Sequence, residues 1–234
     1  LLMVVFTFPM YSQSPWVALT SGTNSVLYST SFINDSTGWV VGESGTILKT
    51  VNGTTFTTQT SGTSTTLFKA FAIDANTVYV IGDNGLLLKT SNGGATWNKL
   101  NSPTASNLRS IFFITPSVGF IGGGSGGSAT LLKTNDGGSS WTALSTGFMG
   151  TVYSIFFTDL MTGYACNDIG GIIKTIDGGA TWTAQNSGTS NGLQSIYFTN
   201  NITGYIAGRS GIILKTTNGG TSWNQVASGG TDWL

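Results

Sequence analysis

Four charged residues recur at one position of a repeating pattern, and their side chains are the best candidates for chemistry. Glu43, Asp83, Asp168 and Arg209 each follow the glycine, or its equivalent, in the second hairpin of a repeat. Paired carboxylates can carry out glycoside hydrolysis, whereas variable loop tips on a fixed scaffold serve binding. Because no neighbouring signature marks an acid or a nucleophile, we predict a candidate binding face here, with simple solvated turns as the alternative.

The residue types that the chain lacks exclude several kinds of site. There is no histidine, and the one cysteine is Cys166. A Cys/His zinc site, a Ser-His-Asp or Cys-His nucleophile and an intramolecular disulfide therefore cannot form. We predict no catalytic residue, no metal site and no cofactor. Cys166 stands where sister repeats carry Val41, Ile81 and Ala207, which favours a buried core thiol over a reactive one.

A lysine precedes the same threonine in every repeat, so these lysines are expected to form a ring. One hypothesis makes them edge-strand lysines whose stems cover apolar surface and whose charges discourage strand pairing. The other makes them a ring that binds an anion. The lysines are Lys49, Lys89, Lys133, Lys174 and Lys215.

Composition narrows the class of protein. The 234 residues carry nine basic and nine acidic side chains, and only 8% of the residues are charged. This balance excludes the basic surface of a nucleic-acid binder. No stretch reaches the ~18 apolar residues of a membrane span. With 39% apolar residues and 34 glycines, the chain is typical of an exported β protein with many turns.

A threonine-to-aromatic turn recurs along the chain. The threonines, at positions 50, 90, 134, 175 and 216, are separated by 40, 44, 41 and 41 residues. A period near 41 with β-type sequence indicates one four-stranded propeller blade per repeat. We therefore predict an all-β propeller with five full blades, over about residues 21–60, 61–100, 101–144, 145–185 and 186–226.

The strands that must position the charged residues can be placed within each repeat. In the fifth repeat they are "LQSIYF", "TGYIAG", "GIILKT" and "TSWNQV", which are short, β-rich and bounded by turn residues. The loops between strands two and three and between blades share one face of a propeller. Glu43, Asp83, Asp168, Arg209 and the insertion 122–130 should therefore lie opposite the recurring turns.

The recurring turn is interpreted as structural. An Asn or Asp caps backbone N–H groups ahead of it, glycines supply positive φ, and the aromatic ring wedges between blades. The capping residues are Asn52, Asn92, Asp136, Asp177 and Asn218. The aromatic residues are Phe56, Trp97, Trp141, Trp182 and Trp223.

This turn resembles the Asp-box of bacterial neuraminidases (the BNR repeat). The segment from Thr90 to Trp97 and the equivalent segments of the three later repeats match the Asp-box pattern, and a shorter version ends at Phe56. The longer frame, "TGY" followed by "ILKTTNGG" and a trailing "SGT", is similar to propellers related to photosystem II stability and assembly factors. That resemblance implies polypeptide partners, bound with the help of an arginine-rich patch. This sequence offers only Arg109 and Arg209.

The resemblance also bears on enzyme activity. Sialidases with Asp-boxes hold the substrate carboxylate with three arginines, and two are present here. Other Asp-box glycosidases use two carboxylates, which Glu43, Asp83 and Asp168 could supply. We predict a non-enzymatic scaffold that binds a protein or a glycan, with a glycoside hydrolase as the alternative. Neither a nucleic-acid partner nor a particular oligomeric state is predicted.

The two ends of the chain carry further expectations. Residues 1–14 resemble the end of a signal peptide, with a propeller over 15–234, so we expect a secreted, periplasmic or cell-surface protein. "PWVALT" (15–20) is interpreted as a lone fourth strand with Trp16 in the aromatic position. On that interpretation the chain is a fragment of a six- or seven-bladed ring.

Overall fold

The computed structural model describes residues 17–228 and 230, and its architecture is a series of β-sheets. Twenty strands form five four-stranded antiparallel sheets, and within each sheet the strands are adjacent in the order of the chain. Each sheet comes from one stretch of about forty residues, as the period requires. The prediction of four-stranded propeller blades is confirmed.

The strands of the five blades have the following bounds. Blade 1 contains β1 (Leu27–Phe32), β2 (Gly38–Gly42), β3 (Ile47–Thr50) and β4 (Thr57–Gln59). Blade 2 contains β5 (Leu67–Ala72), β6 (Val78–Gly82), β7 (Leu87–Thr90) and β8 (Asn98–Lys99). Blade 3 contains β9 (Asn107–Phe113), β10 (Gly119–Ser125), β11 (Ser128–Thr134) and β12 (Thr142–Ala143). Blade 4 contains β13 (Val152–Phe157), β14 (Gly163–Asn167), β15 (Ile172–Thr175) and β16 (Thr183–Gln185). Blade 5 contains β17 (Leu193–Phe198), β18 (Gly204–Gly208), β19 (Ile213–Thr216) and β20 (Asn224–Val226).

The core lies between the blades. The second strands of blades 1, 2 and 4 are buried along their whole length. In blades 2 and 4 the reason is that a neighbouring blade packs on each face of the strand. One core cluster joins Tyr79, Ile81 and Leu87 of blade 2 to Leu108 and Trp141 of blade 3. The tryptophan that ends the turn is therefore a wedge between blades, and its burial couples each blade to the preceding one.

A compensating pair within each blade fixes the start of the second strand. A Cβ at Gly119 would lie 2.6 Å from the ring of Phe113, its partner across the antiparallel pair. Blade 2 has Val78 opposite Ala72 instead. A large ring on the first strand thus requires a glycine on the second, which explains the glycine of "TGY".

The N-terminal expectations fall mostly outside the described residues. The signal-peptide segment 1–14 and Trp16 lie there, and the blade count of a complete ring stays a prediction. Residues 17–20, the described part of the segment interpreted as a lone fourth strand, pair with no strand in the described part of the chain. That interpretation places its partner strands in another blade, so it stays a prediction. Within residues 17–228 and 230, no helix is both long and apolar enough to cross a membrane.

Candidate interaction face

The corner between the second and third strands has the same backbone geometry in three blades. Glu43, Asp83 and Arg209 each open a three-residue 3-10 turn. Their N–H groups donate to the carbonyl of the residue just before the first strand of the same blade, over 2.8–3.0 Å. Asp168 makes the same bond, to the Thr151 carbonyl, at 3.1 Å. The four side chains therefore begin at equivalent places.

Each of these three turns also packs against the segment that follows the fourth strand of its blade. Gly45, Gly85 and Gly211 have positive φ, and a Cβ at any of them would lie about 2 Å from a carbonyl oxygen of that segment. No side chain fits there, and the left-handed backbone also favours glycine. Corners and linkers consequently share one surface, the corner face, defined by the corners of the five blades and the four linkers between them, residues 60–66, 100–106, 144–151 and 186–192.

A cluster of aromatic and charged side chains covers the corner face of blades 1 to 3. The Tyr28 hydroxyl donates to Glu43 Oε1 at 2.9 Å, and its ring lies 5.4 Å from that of Phe68. The guanidinium of Arg109 stacks on Phe68, 3.5 Å from the ring centroid, and its Nη2 lies 3.9 Å from Asp83 Oδ1. The hydrogen bond to Glu43, with desolvation, raises the pKa of Tyr28. This group is called the stack below.

The stack was missed from sequence, although a signal for it exists. Tyr28, Phe68 and Arg109 each follow the first core residue of the inner strand, so they are one repeat position in three consecutive blades. Alignment of the repeats on Leu27, Leu67 and Leu108 would have brought them together.

The other two predicted face residues lie apart from the stack. Asp168 Oδ1 accepts the Thr151 N–H at 2.7 Å and so closes its own corner. The carbonyl of Asp168 and the Cδ of Arg209 both approach the Cβ position of Gly192. The four predicted residues therefore form two groups, Glu43 with Asp83 around the stack and Asp168 with Arg209 beside Gly192.

Blade 3 replaces the short turn by a longer hairpin. Its strands extend to Ser125 and Ser128, with Gly126 and Gly127 at positive φ at the tip. The Gly150 N–H donates to the Gly127 carbonyl at 2.8 Å, and Ser128 forms a bridge with Met149. Met149 and Ile169 are both exposed. The corner face thus has an apolar part beside its charged part.

The opposite side of the blades carries the Asp-box turns, whose bonds are nearly identical in the last four blades. In blade 4 the Thr175 hydroxyl donates to Asp177 Oδ1 at 2.7 Å and accepts the Gly179 N–H at 2.9 Å. Asp177 Oδ1 also accepts the Thr181 N–H at 2.9 Å. In the shorter turn of blade 1, Asn52 Oδ1 accepts the N–H groups of Thr54 and Thr55.

These hydrogen bonds favour the ionised carboxylate. Donation by the hydroxyl and N–H of Ser140 lowers the pKa of Asp136 to about 2. Thr181 lowers the pKa of Asp177 in the same way. Asn92 and Asn218 accept the equivalent N–H bonds through an amide oxygen. The hydrogen bonds of the two turns that contain an aspartate therefore depend on pH, whereas those of the turns that contain an asparagine do not.

The recurring lysines are not on edge strands, which corrects one of the two hypotheses. They lie on the third strands, between the second and fourth strands. Lys174 Nζ donates to the Gly219 carbonyl in the Asp-box turn of the next blade at 2.7 Å and lies 5.5 Å from the Tyr164 ring centroid. Lys49, Lys89 and Lys133 make the same bond to the next turn. Four of the five ammonium groups thus link consecutive blades.

Cys166 is fully buried in the core cluster shared by blades 4 and 5. Burial raises the pKa of its thiol to about 12, so the thiolate is suppressed at neutral pH.

Blades of this kind, with Asp-box turns on one side and variable corners on the other, define an Asp-box β-propeller. The chain belongs to a family of such proteins, described as photosynthesis system II assembly factor YCF48, whose model matches residues 8–104 and 139–229. The unmatched segment between these ranges includes the extended corner hairpin of blade 3. No curated protein matches this sequence.

Solved structures of the family share the fold at low sequence identity. YCF48 bound to D1 peptide is 18% identical, with a TM-score of 0.63, and the match covers 94% of this chain and 88% of that chain. YCF48 from Cyanidioschyzon merolae is 17% identical, with a TM-score of 0.59 and coverage of 87% and 85%. An ancestral GH74 enzyme is 16% identical, with a TM-score of 0.72, and the match covers 92% of this chain but 33% of the enzyme.

Proposed function

We propose that this chain is a non-enzymatic scaffold that binds a polypeptide segment on its corner face. Membership of the YCF48 family supports a binding role, and a structure with the same fold is that of YCF48 bound to D1 peptide. The stack of Tyr28, Phe68 and Arg109 carries the proposal for this chain. Tyrosine and arginine are the residue types that dominate protein–protein binding energy.

The geometry of the stack suits a peptide. Phe68 and Asp83 hold the Arg109 guanidinium in place, so little side-chain entropy remains to be lost on binding. Tyr28 is about half exposed and is oriented by Glu43. The carboxylates of Glu43 and Asp83 can accept hydrogen bonds from peptide N–H groups, while Met149 and Ile169 offer apolar contact elsewhere on the same face.

The experiment is a titration of labelled D1 peptide followed by fluorescence anisotropy. Tyr28→Ala and Arg109→Gln should each weaken binding about tenfold, equivalent to about 1.4 kcal/mol. Lys99→Gln is the matched control, because Lys99 is exposed on the outer strand of blade 2. Equal affinity in all four proteins would reject the stack as the binding site, and no binding to the wild type would reject this peptide as the ligand.

The alternative is a glycoside hydrolase. Its support is the similarity to the ancestral GH74 enzyme, and that similarity concerns the fold alone. Two of its candidate carboxylates already have partners. Glu43 accepts a hydrogen bond from the Tyr28 hydroxyl, and Asp83 forms an ion pair with Arg109. Release of reducing sugar from polysaccharides by the wild type, lost in Glu43→Gln or Asp83→Asn, would favour the enzyme over the scaffold.

We also propose that the protein is exported. The support is the sequence of residues 1–14, where an apolar run is followed by Pro9 and small polar residues. N-terminal sequencing of the protein from its native host should find a start near Tyr11-Ser12-Gln13. A mature protein that retains the apolar run would contradict this proposal.

A further inference from the structure

A cavity of about 350 Å³ lies between the first strands of blades 2 to 5. Among the described residues that line it, only Lys69 is charged. The half-buried rings of Phe71, Phe112 and Phe156 also line it, and the centroids of neighbouring rings are 5.6–5.8 Å apart. A largely apolar and aromatic wall with a few polar groups, around a space of this size, is typical of small-molecule sites.

Lys69 departs from the pattern of the repeat. The other four blades have a serine at the same place in the strand register: Ser29, Ser110, Ser154 and Ser195. In the first three, the hydroxyl oxygen accepts an N–H from the first strand of the next blade over 3.0–3.5 Å. A lysine ammonium only donates, so it cannot accept the equivalent N–H, that of Ile111. Lys69 therefore gives up a hydrogen bond between blades that a serine makes.

The ammonium of Lys69 also lacks a partner in the protein. Within residues 17–228 and 230, no carboxylate pairs with it and no hydrogen-bond acceptor contacts it. The side chain is open to solvent inside the cavity, but the surrounding blades desolvate the charge and so lower its pKa. An unpaired charge in such surroundings destabilises the fold. A residue that is unfavourable for the fold in two ways is expected where a protein has a functional site.

We propose that this cavity binds a small carboxylate that carries an aromatic ring. The carboxylate accepts hydrogen bonds from the Lys69 ammonium, and charge assistance makes such bonds strong. The ring of the ligand packs against the open edges and faces of Phe71, Phe112 and Phe156. The cavity is a site of its own, since its residues are not those of the stack on the corner face.

The charges and donors of the wall favour a singly charged organic anion. One ammonium balances one negative charge, whereas a doubly charged phosphate would keep one charge unbalanced beside three phenyl rings. No carboxylate lies among the described lining residues to repel an anion. Gln194 lines the cavity too, and its Nε2 has no hydrogen-bond partner among residues 17–228 and 230. Rotation of that amide gives the ligand a second donor.

The test is calorimetric titration of the full chain with phenylacetate. Lys69→Ser should weaken binding about tenfold, because a charge-assisted hydrogen bond is lost. Lys99→Ser is the matched control, since it removes the same charge from the exposed outer strand of the same blade, and it should bind as the wild type does. Acetate, 2-phenylethanol and inorganic phosphate should all bind more weakly than phenylacetate. In urea, Lys69→Ser should unfold at a higher midpoint than the wild type, because the new serine can accept the Ile111 N–H.

Several outcomes would overturn the proposal. Equal affinity of the wild type and Lys69→Ser for phenylacetate would reject the site, as would a wild type that binds no phenylacetate. Acetate or phosphate that binds as tightly as phenylacetate would reject an aromatic ligand. A lower urea midpoint for Lys69→Ser would assign Lys69 a structural role instead. Lys69→Ser should keep the wild-type affinity for labelled D1 peptide, and release of that peptide by saturating phenylacetate would place the peptide, not a small acid, in the cavity.

Discussion

The Asp-box side and the corner face are built from the same five repeats, yet they differ in uniformity. Four of the five Asp-box turns share one set of hydrogen bonds and contact the preceding blade through glycine carbonyls. The corners differ: three are short turns, one is an extended hairpin and one is closed by Asp168. Where a turn must fit a neighbouring blade its sequence is constrained, and where it faces solvent it is available for binding.

The largest effect should come from closing the space at an Asp-box glycine. Gly179 has a φ of +77°, and its Cβ would lie 2.4 Å from the ring of Phe120. Gly179→Ala should lower the free energy of unfolding by about 2–4 kcal/mol through overpacking and backbone strain. The measurement is urea denaturation.

The corner face supplies the matched control for that prediction. Gly188, in a linker, has a φ of +70° but nothing within 4 Å of its Cβ position. Gly188→Ala should therefore cost only the backbone term, about 1 kcal/mol. Equal losses in the two variants would show that the contact with Phe120 is unimportant.

A smaller effect should follow from the removal of one hydroxyl on each side. Thr175 is buried and makes both a donor and an acceptor bond in its turn, so Thr175→Val should cost about 1–3 kcal/mol. Thr146 in a linker accepts one N–H bond at 3.2 Å, and Thr146→Val should cost about 0.5 kcal/mol. Thermal and urea unfolding would measure both, and a reversed order would contradict the comparison.

The smallest effect, and the most specific to the Asp-box side, is a dependence on pH. The folded pKa values of Asp136 and Asp177 are depressed, so their contribution is present above the unfolded pKa of about 3.9 and is lost as the pH falls through the folded pKa. Wild-type stability should therefore fall between about pH 4 and pH 2. The double variant Asp136→Asn, Asp177→Asn should show a shallower fall.

Asn218→Asp provides the opposite control, because its turn offers the Ser222 N–H and hydroxyl to a new carboxylate. It should steepen the fall in acid. If the free energy of unfolding falls equally with pH in the wild type, the double variant and Asn218→Asp, the carboxylates of the Asp-box turns are not the cause of the fall.

The sequence predicted the strands and the turns well because both depend on local chemistry. The cap at Asp177, the glycines after it and the β-branched strands act within a few residues of one another. The hydrogen-bond acceptor of Lys174 could not be predicted in this way, since it lies 45 residues away in the next blade. The separation of Asp168 from Glu43 likewise depends on the packing of different blades.

The bond from each lysine to the following turn also bears on how such a chain can grow. A repeat carries a donor for its successor, as Lys174 does, and an acceptor for its predecessor, as the Gly178 carbonyl does. Duplication of the gene segment for one blade therefore copies both halves of the junction at once. Tandem expansion can lengthen the array by whole units without a new interface having to evolve.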